Sequence, residues 1–316
     1  MVEGFITYPK VKRVGDHDVK DIFSDPNDAV VVQEKIDGAN FRFMVKDGNI
    51  IFGSRSRQLT NDKGEDADVD KNFKRCVEYI REMLQDKDLT DYDGMIFFGE
   101  NCVKHTLDYD WDSIPPFLGF DIYDTNTQVF LTWWEVRCIY YQLGLKVVPE
   151  VILAHCSDVK NDIQSRGLDS FIGKSYYASP SSDDTKMEGV VVKNYDKQMF
   201  AKYVRDEFKE KNAKAFGGSP KYNKVDDTDN AEFIFKYCTN ARIEKIIFSH
   251  INEGKPLDMK LMGSIIKDTY LDIIEEEWRE ILTSNWKLDF KKLRKAIAPR
   301  CRAVLEQMIT NNAVCE

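Results

Sequence analysis

Glu34-Lys35-Ile36-Asp37-Gly38-Ala39-Asn40-Phe41 decides the reading of this chain. Just before it, residues 29–34 form a β-branched run through Val30, Val31 and Val32, which predicts a strand. That strand ends on a lysine and turns at once through Asp-Gly. Taken alone, Lys-x-Asp-Gly describes an exposed lysine beside a hairpin turn as well as it describes a reactive one. Beyond it, residues 41–45 and 50–53 read as strands flanking Lys46-Asp47-Gly48-Asn49, a good hairpin turn.

Four further segments change the weight of Lys35. Ser54-Arg55-Ser56-Arg57 lies about 20 residues on. Phe97-Phe98-Gly99-Glu100 ends a strand on a carboxylate, and Phe117-Leu118-Gly119-Phe120-Asp121 joins an aromatic to an acid. Met187-Glu188-Gly189-Val190-Val191-Val192-Lys193 sets a glutamate and a lysine five apart. On a regular strand that odd spacing turns the two to opposite faces, so a bend at Gly189 is needed to bring both to one pocket. Phe200-Ala201-Lys202-Tyr203-Val204 adds a lysine on the next strand.

Between these segments, residues 68–84 carry Phe73, Cys76, Val77, Ile80, Met83 and Leu84 at helical spacing. Thr132-Trp133-Trp134-Glu135 matches a capping box, with Gly144 as the stop. Gly217-Gly218-Ser219-Pro220 punctuates the chain and predicts a domain boundary. After it the pattern turns helical. Residues 233–251 and 288–308 read as helices, the second interrupted before Pro299, and Met262, Ile266, Tyr270, Ile273, Ile274, Trp278 and Ile281 form an amphipathic stripe.

The 316 residues suit two domains, and 42% hydrophobic with 31% charged residues suits a globular chain rather than a disordered one. No apolar run is long enough for a membrane span, no signal-type stretch opens the sequence, and seven scattered cysteines show no metal or disulfide spacing. The expectation is a cytoplasmic protein with reduced thiols and no membrane partner. The net charge of −9 argues against nonspecific nucleic-acid binding. That charge lies entirely before residue 217, however, and residues 287–302 carry a local net +6.

In this order and spacing the chain resembles the covalent nucleotidyltransferase superfamily of ligases and capping enzymes, and most closely the ATP-dependent RNA ligases of the T4-phage nick-sealing type. The resemblance runs over roughly residues 29–210 and rests on motifs I, Ia, III, IIIa, IV and V in sequence order. It implies an α+β protein. Residues 1–216 would be an ATP-grasp-like ligase domain of two packed antiparallel sheets with flanking helices and an ATP pocket between them. Residues 217–316 would be a small all-helical C-terminal domain that binds RNA. Lys35 would attack ATP to form lysyl-AMP, pass AMP to an RNA 5′-phosphate, and let a 3′-hydroxyl displace it.

The resemblance also assigns roles. Glu34 reads adenine, Asn40 organises metal-bound water, and Arg55 contacts the nucleotide or the RNA phosphate. Glu100 holds the ribose hydroxyls and Phe120 stacks on adenine. Glu188 binds Mg²⁺ or Mn²⁺, and Lys193 and Lys202 neutralise the triphosphate. These two lysines, together with bound metal and partial burial, are also expected to push Lys35 towards its uncharged, nucleophilic form, since an ammonium cannot attack. The chain departs from the family pattern at two places. Asp37 stands where some members have histidine, and Val204 stands where nick-sealing relatives commonly have a second lysine, with Arg205 or Lys209 as replacements. The alternatives are a DNA ligase, a capping guanylyltransferase, or a non-catalytic ATP- or RNA-binding relative. DNA ligases and capping enzymes usually append a β-rich OB-fold, which the helical pattern after residue 217 does not fit.

Overall fold

The computed structural model describes residues 4–103, 107, 109–180, 185–205, 228–283 and 286–314. The chain divides into two units, Met1–Arg205 and Asp206–Glu316. The expected boundary at residues 217–220, and Lys209, lie outside the described residues.

The first unit holds two five-stranded sheets. One contains β1 (Lys12–Arg13), β2 (Ala29–Lys35), β8 (Glu150–His155), β9 (Gly189–Asn194) and β10 (Met199–Val204), in the order β1-β10-β9-β2-β8. The other contains β3 (Ala39–Lys46), β4 (Asn49–Ser54), β5 (Met95–Asn101), β6 (Phe117–Asp124) and β7 (Val129–Phe130), in the order β4-β3-β5-β6-β7. All pairings are antiparallel except the short parallel contact of β1 with β10. The β3–β4 hairpin turns through Asp47 and Gly48, both at positive φ, as a tight two-residue turn requires.

Each sheet buries one outer face under helices. Helix α1 (Lys71–Leu84), capped by Asp70 on the Asn72 amide, lays Phe73, Cys76, Val77 and Ile80 inward. Helix α2 (Trp133–Gln142) starts in the Thr132/Glu135 capping box and buries Val136 and Tyr140. Phe41, Phe43, Phe97 and Phe117 of the second sheet join Phe73 and Tyr140 in one aromatic core; the Phe43 and Phe97 rings stack at 4.5 Å. On the first sheet, Val30, Val32, Val190, Val192 and Ala201 pack with Cys156 and Val159 of α3 (Cys156–Arg166). The alternate residues of both sheets therefore face each other. Lys35, Gln33 and Val31 lie on that inner side of β2.

The second unit contains only helices among its described residues: α4 (Thr228–Tyr237), α5 (Asn240–Asn252), α6 (Met262–Thr283), α7 (Phe290–Ala296) and α8 (Ala298–Val314), with a short 3-10 turn before α6. The segment expected as one helix over 233–251 is two, because Thr239 caps α5 by accepting from the Arg242 amide. The break before Pro299 falls at Ile297, which leaves Pro299 in the first turn of α8, where a missing amide costs little. The stripe expected on α6 is rotated. Ile265, Thr269, Ile273 and Glu277 are its buried residues, whereas Trp278 is 48% exposed. Among the described residues no helix is long and apolar enough to cross a membrane.

Candidate active site

Lys35 is the last residue of β2, and Gly189, the first of β9, is its register partner. A side chain at 189 would collide with the Tyr203 carbonyl, its Cβ lying 2.1 Å away, so the start of β9 is held tight against β10. Glu188 sits just outside the strand, free of its alternation. Its carboxylate reaches the Lys35 Nζ at 2.5 Å.

The opposite wall comes from the second sheet. Asn40 on β3 and Glu100 on β5 are register partners. Gly38 allows the chain leaving Lys35 to pass over them, since a Cβ there would lie 2.6 Å from the Asn101 carbonyl and 2.8 Å from the Glu100 Cγ. Asp37 is tied down on both sides. Its amide donates to the Tyr109 hydroxyl at 2.8 Å, and its Oδ2 accepts from the Leu107 amide at 2.9 Å. Arg55 lies exposed after β4. The loop carrying it is anchored by buried Arg42, which donates to the carbonyls of Ser54 and Arg55 and lies over the Phe5 ring at 4.4 Å.

The electrostatics follow from this crowding of acids around one amine. Burial works to lower the Lys35 pKa, but Glu188, Glu100 and Asp37 outweigh it and the ammonium is held up at about 12. Glu100 is pushed up to about 8, by burial first and then by Glu188 and Asp37, against the pull of Lys35 and Arg55. Glu188 is also raised, by burial and by Asp37, against Lys35 and Lys202.

The sequence profile of the RNA ligase family matches residues 28–209, more than half of the chain. The chain belongs to the RNA ligase family. The structure is similar to Naegleria gruberi RNA ligase with PPi, at a TM-score of 0.49 and 20% identity, covering 65% of this chain and 57% of that one. It is similar to mutants of the same enzyme with ATP and Mn and with AMP and Mn, each at a TM-score of 0.48 and 19% identity over the same shares. The chain thus spans 57% of the length of that ligase. Comparison with curated protein sequences finds no match.

As an RNA ligase family member, the chain gathers Lys35, Glu188, Glu100 and Asn40 at one end of the inter-sheet space, with Lys202 in reach. Lys202 lies on the inner side of β10, half-buried, and its charge is felt at Glu188. Val204 falls in the row Lys35–Gly189–Val204, so the missing second lysine would have stood two strands from Lys35 on the same face. Arg205 donates its amide to the Glu188 carbonyl, and Arg13 of β1 is the cation in register with Lys202.

Two expected residues stand elsewhere. Lys193 does not face the Lys35 end. It lies four residues along β9, about 13 Å at 3.3 Å per residue. There it is 1% exposed and donates to Asp121 Oδ2 at 2.7 Å and to the Phe120 carbonyl at 2.9 Å. Asp121 also accepts from the Tyr8 and Tyr195 hydroxyls, at 2.5 and 2.6 Å, so Lys193 belongs to a closed polar knot between the sheets. It therefore cannot be one of the cations pressing on Lys35. Glu34, one residue before Lys35, turns to the other side of β2. Its carboxylate is buried and accepts from the Ser175 hydroxyl at 2.5 Å and the Tyr176 amide at 3.1 Å.

Phe120 shows what a strand pattern hides. The β5–β6 register pairs Phe98 with Asp121 but Gly99 with Gly119, so Phe120 is the extra residue of a β-bulge. The bulge turns Phe120 and Asp121 to the same side, where Lys193 lies 5.1 Å from the Phe120 ring centre. Tyr8 packs edge-on against that ring at 4.9 Å. Sequence reasoning gave Asp121 no role and passed over Tyr8, Tyr109, Tyr195 and Gln33. Gln33, on the Lys35 face, is buried with its Nε2 unpartnered among the described residues. The only signal for Asp121 was its place after Phe120.

Proposed function

We propose that this chain is an ATP-dependent RNA ligase, joining an RNA 3′-hydroxyl to a 5′-phosphate through a lysyl-AMP on Lys35, in the cytoplasm. The observation that carries the reading is the half-buried lysine amine at the end of β2 against Glu188, with Glu100 of the second sheet and Asp37 close enough to shift its charge. A lysine needed only for solubility has no reason to be surrounded by three acids.

In this reading the Lys35 nitrogen forms a bond to the α-phosphorus, the bond to the bridging oxygen breaks, and pyrophosphate leaves while the amine gives up its proton. Glu100, which is held largely protonated below about pH 8, would bond the ribose hydroxyls. Lys202, and Arg13 beside it, offer charge to the leaving pyrophosphate. Phe120 offers a flat surface for adenine, with Lys193 fixing the bulge beneath it rather than meeting phosphate.

The donors present fit a hard divalent cation such as Mg²⁺ or Mn²⁺. Glu188 supplies a carboxylate, and the buried Asn40 Oδ1, without a partner among the described residues, can accept from a metal-bound water. No group of three or more metal-ligating side chains is present among the described residues, which suits an ion held mainly by phosphate and water. Held by Glu188, such an ion would supply positive charge that offsets the carboxylate and the triphosphate.

The test is a substrate panel: ATP or GTP with 5′-phosphorylated RNA and DNA, nicked and single-stranded. Joining of RNA with ATP supports the reading. Sealing of DNA without RNA, or use of GTP alone, overturns it.

A further inference from the structure

Helix α7, with the two residues that lead from it into α8, has two faces. Leu293 and Ile297 point into the helical core, while Lys291, Arg294, Lys295 and Ala298, at spacings of three and four, point the other way. That second face borders an open cleft of about 680 Å³ whose far side is Ile266 and Tyr270 of α6, with Phe290 at one end. No acidic side chain lines it, and among the described residues none of the three cations makes an ion pair. Neighbouring Lys292, by contrast, turns away to Asp289. Phe290 is 45% exposed.

A cationic helix face opposite an aromatic and apolar wall suits a ligand that is anionic along one edge and flat and apolar along the other. A nucleotide has that shape: phosphates for Lys291, Arg294 and Lys295, and a base for Tyr270 and Phe290. An acidic peptide would satisfy the cations and leave the rings bare. An apolar helix would cover the rings and strand three charges.

We propose that the α6–α7 cleft is a single-stranded RNA subsite, gripping about two consecutive phosphates and stacking one base. This rests on the RNA-joining reading above, and it assigns to the helical unit a defined pocket rather than diffuse basic charge. The open strand beyond a reacting end is the RNA such a cleft would hold.

The experiment measures binding of a short fluorescent oligoribonucleotide to the full chain by anisotropy, over a series of salt concentrations. The cleft variant Lys291→Gln/Arg294→Gln/Lys295→Gln is compared with Lys260→Gln/Lys287→Gln/Arg302→Gln, which removes the same charge outside the cleft. The expected result is a drop of at least about tenfold in affinity for the cleft variant, well beyond the control, with the slope of log affinity against log salt shallower by about 1 to 2. Phe290→Ala should weaken binding by about tenfold and Phe290→Trp restore it, without a change in salt slope. Equal losses in the two charge variants, or no effect of Phe290→Ala, would overturn the proposal. Lysyl-AMP formation by the wild-type chain without RNA is measured alongside. If it fails while the cleft results hold, the ligase reading fails and RNA binding by the cleft stands.

Discussion

Glu188 and Lys35 set each other's charge. Cations were expected to press Lys35 towards the neutral amine; the structure surrounds it with carboxylates that hold the proton on. Lys35 is therefore held as an ammonium, and in the proposed ligase reading positive charge arriving at Glu188 would release it. Glu188→Gln should make Lys35 react about tenfold faster with an amine-directed acylating reagent at fixed mildly alkaline pH, because it removes the strongest force holding the proton. An unchanged or slower rate would mean that Glu188 does not control the amine. Glu100 makes a separate prediction about stability. Its folded pKa of about 8 lies above the ordinary 4.5, so the folded state binds its proton more tightly. The stability this confers is complete below about pH 4.5 and is lost as pH rises through about 8. Glu100→Gln, neutral throughout, should melt near the wild type in mild acid and clearly above it near pH 9. A constant difference across that range would contradict the assignment.

At the scale of elements, apolar pattern and turn chemistry were legible. The β3–β4 hairpin, α1 and the α2 capping box stand where Asp47-Gly48, the Phe73–Ile80 spacing and Thr132/Glu135 place them. Most of what was not legible shares one cause, which is polar groups buried against partners distant in sequence. The inner seam of α6 includes Thr269 and Glu277, and no apolar periodicity reveals them. Lys193 reads as a phosphate ligand until Asp121, Tyr8 and Tyr195 are seen to enclose it. Edge strand β8, with Leu153 half exposed, carries too weak an alternation to be read at all. Residues 34, 35 and 188 were legible because each lies in a short motif, Glu34–Phe41 or Met187–Lys193, that recurs in order with the others along the chain. Helix α5 gives a test of the hidden polar seam. Arg242 is fully buried between Asp272 and Glu277 of α6, bonding Glu277 at 2.7 Å. Arg242→Ala should cost about 3–5 kcal/mol in denaturant unfolding of the helical unit, because it leaves Glu277 buried without its partner. Arg242→Met, which keeps the bulk, leaves the same charge stranded and should lie in the same range. A loss under about 1 kcal/mol would show that the pair contributes little.

For the molecule as a whole, the family match covers the two-sheet unit and stops near its end, while the helical unit is built on a separate core. Division of labour is the expectation. A chain ending at residue 217 should form lysyl-AMP at close to the full rate yet join RNA at least about tenfold more slowly; undiminished joining would deny the helical unit a substrate role. Beneath every one of these expectations lies the chemistry of a single nitrogen. The most direct measurement is the mass of the intact protein after incubation with ATP and Mg²⁺ without RNA, followed by mapping of the modified peptide. The account predicts one added adenylyl group, on Lys35, absent from Lys35→Ala. No added mass, or an adenylyl group on another residue, would contradict it.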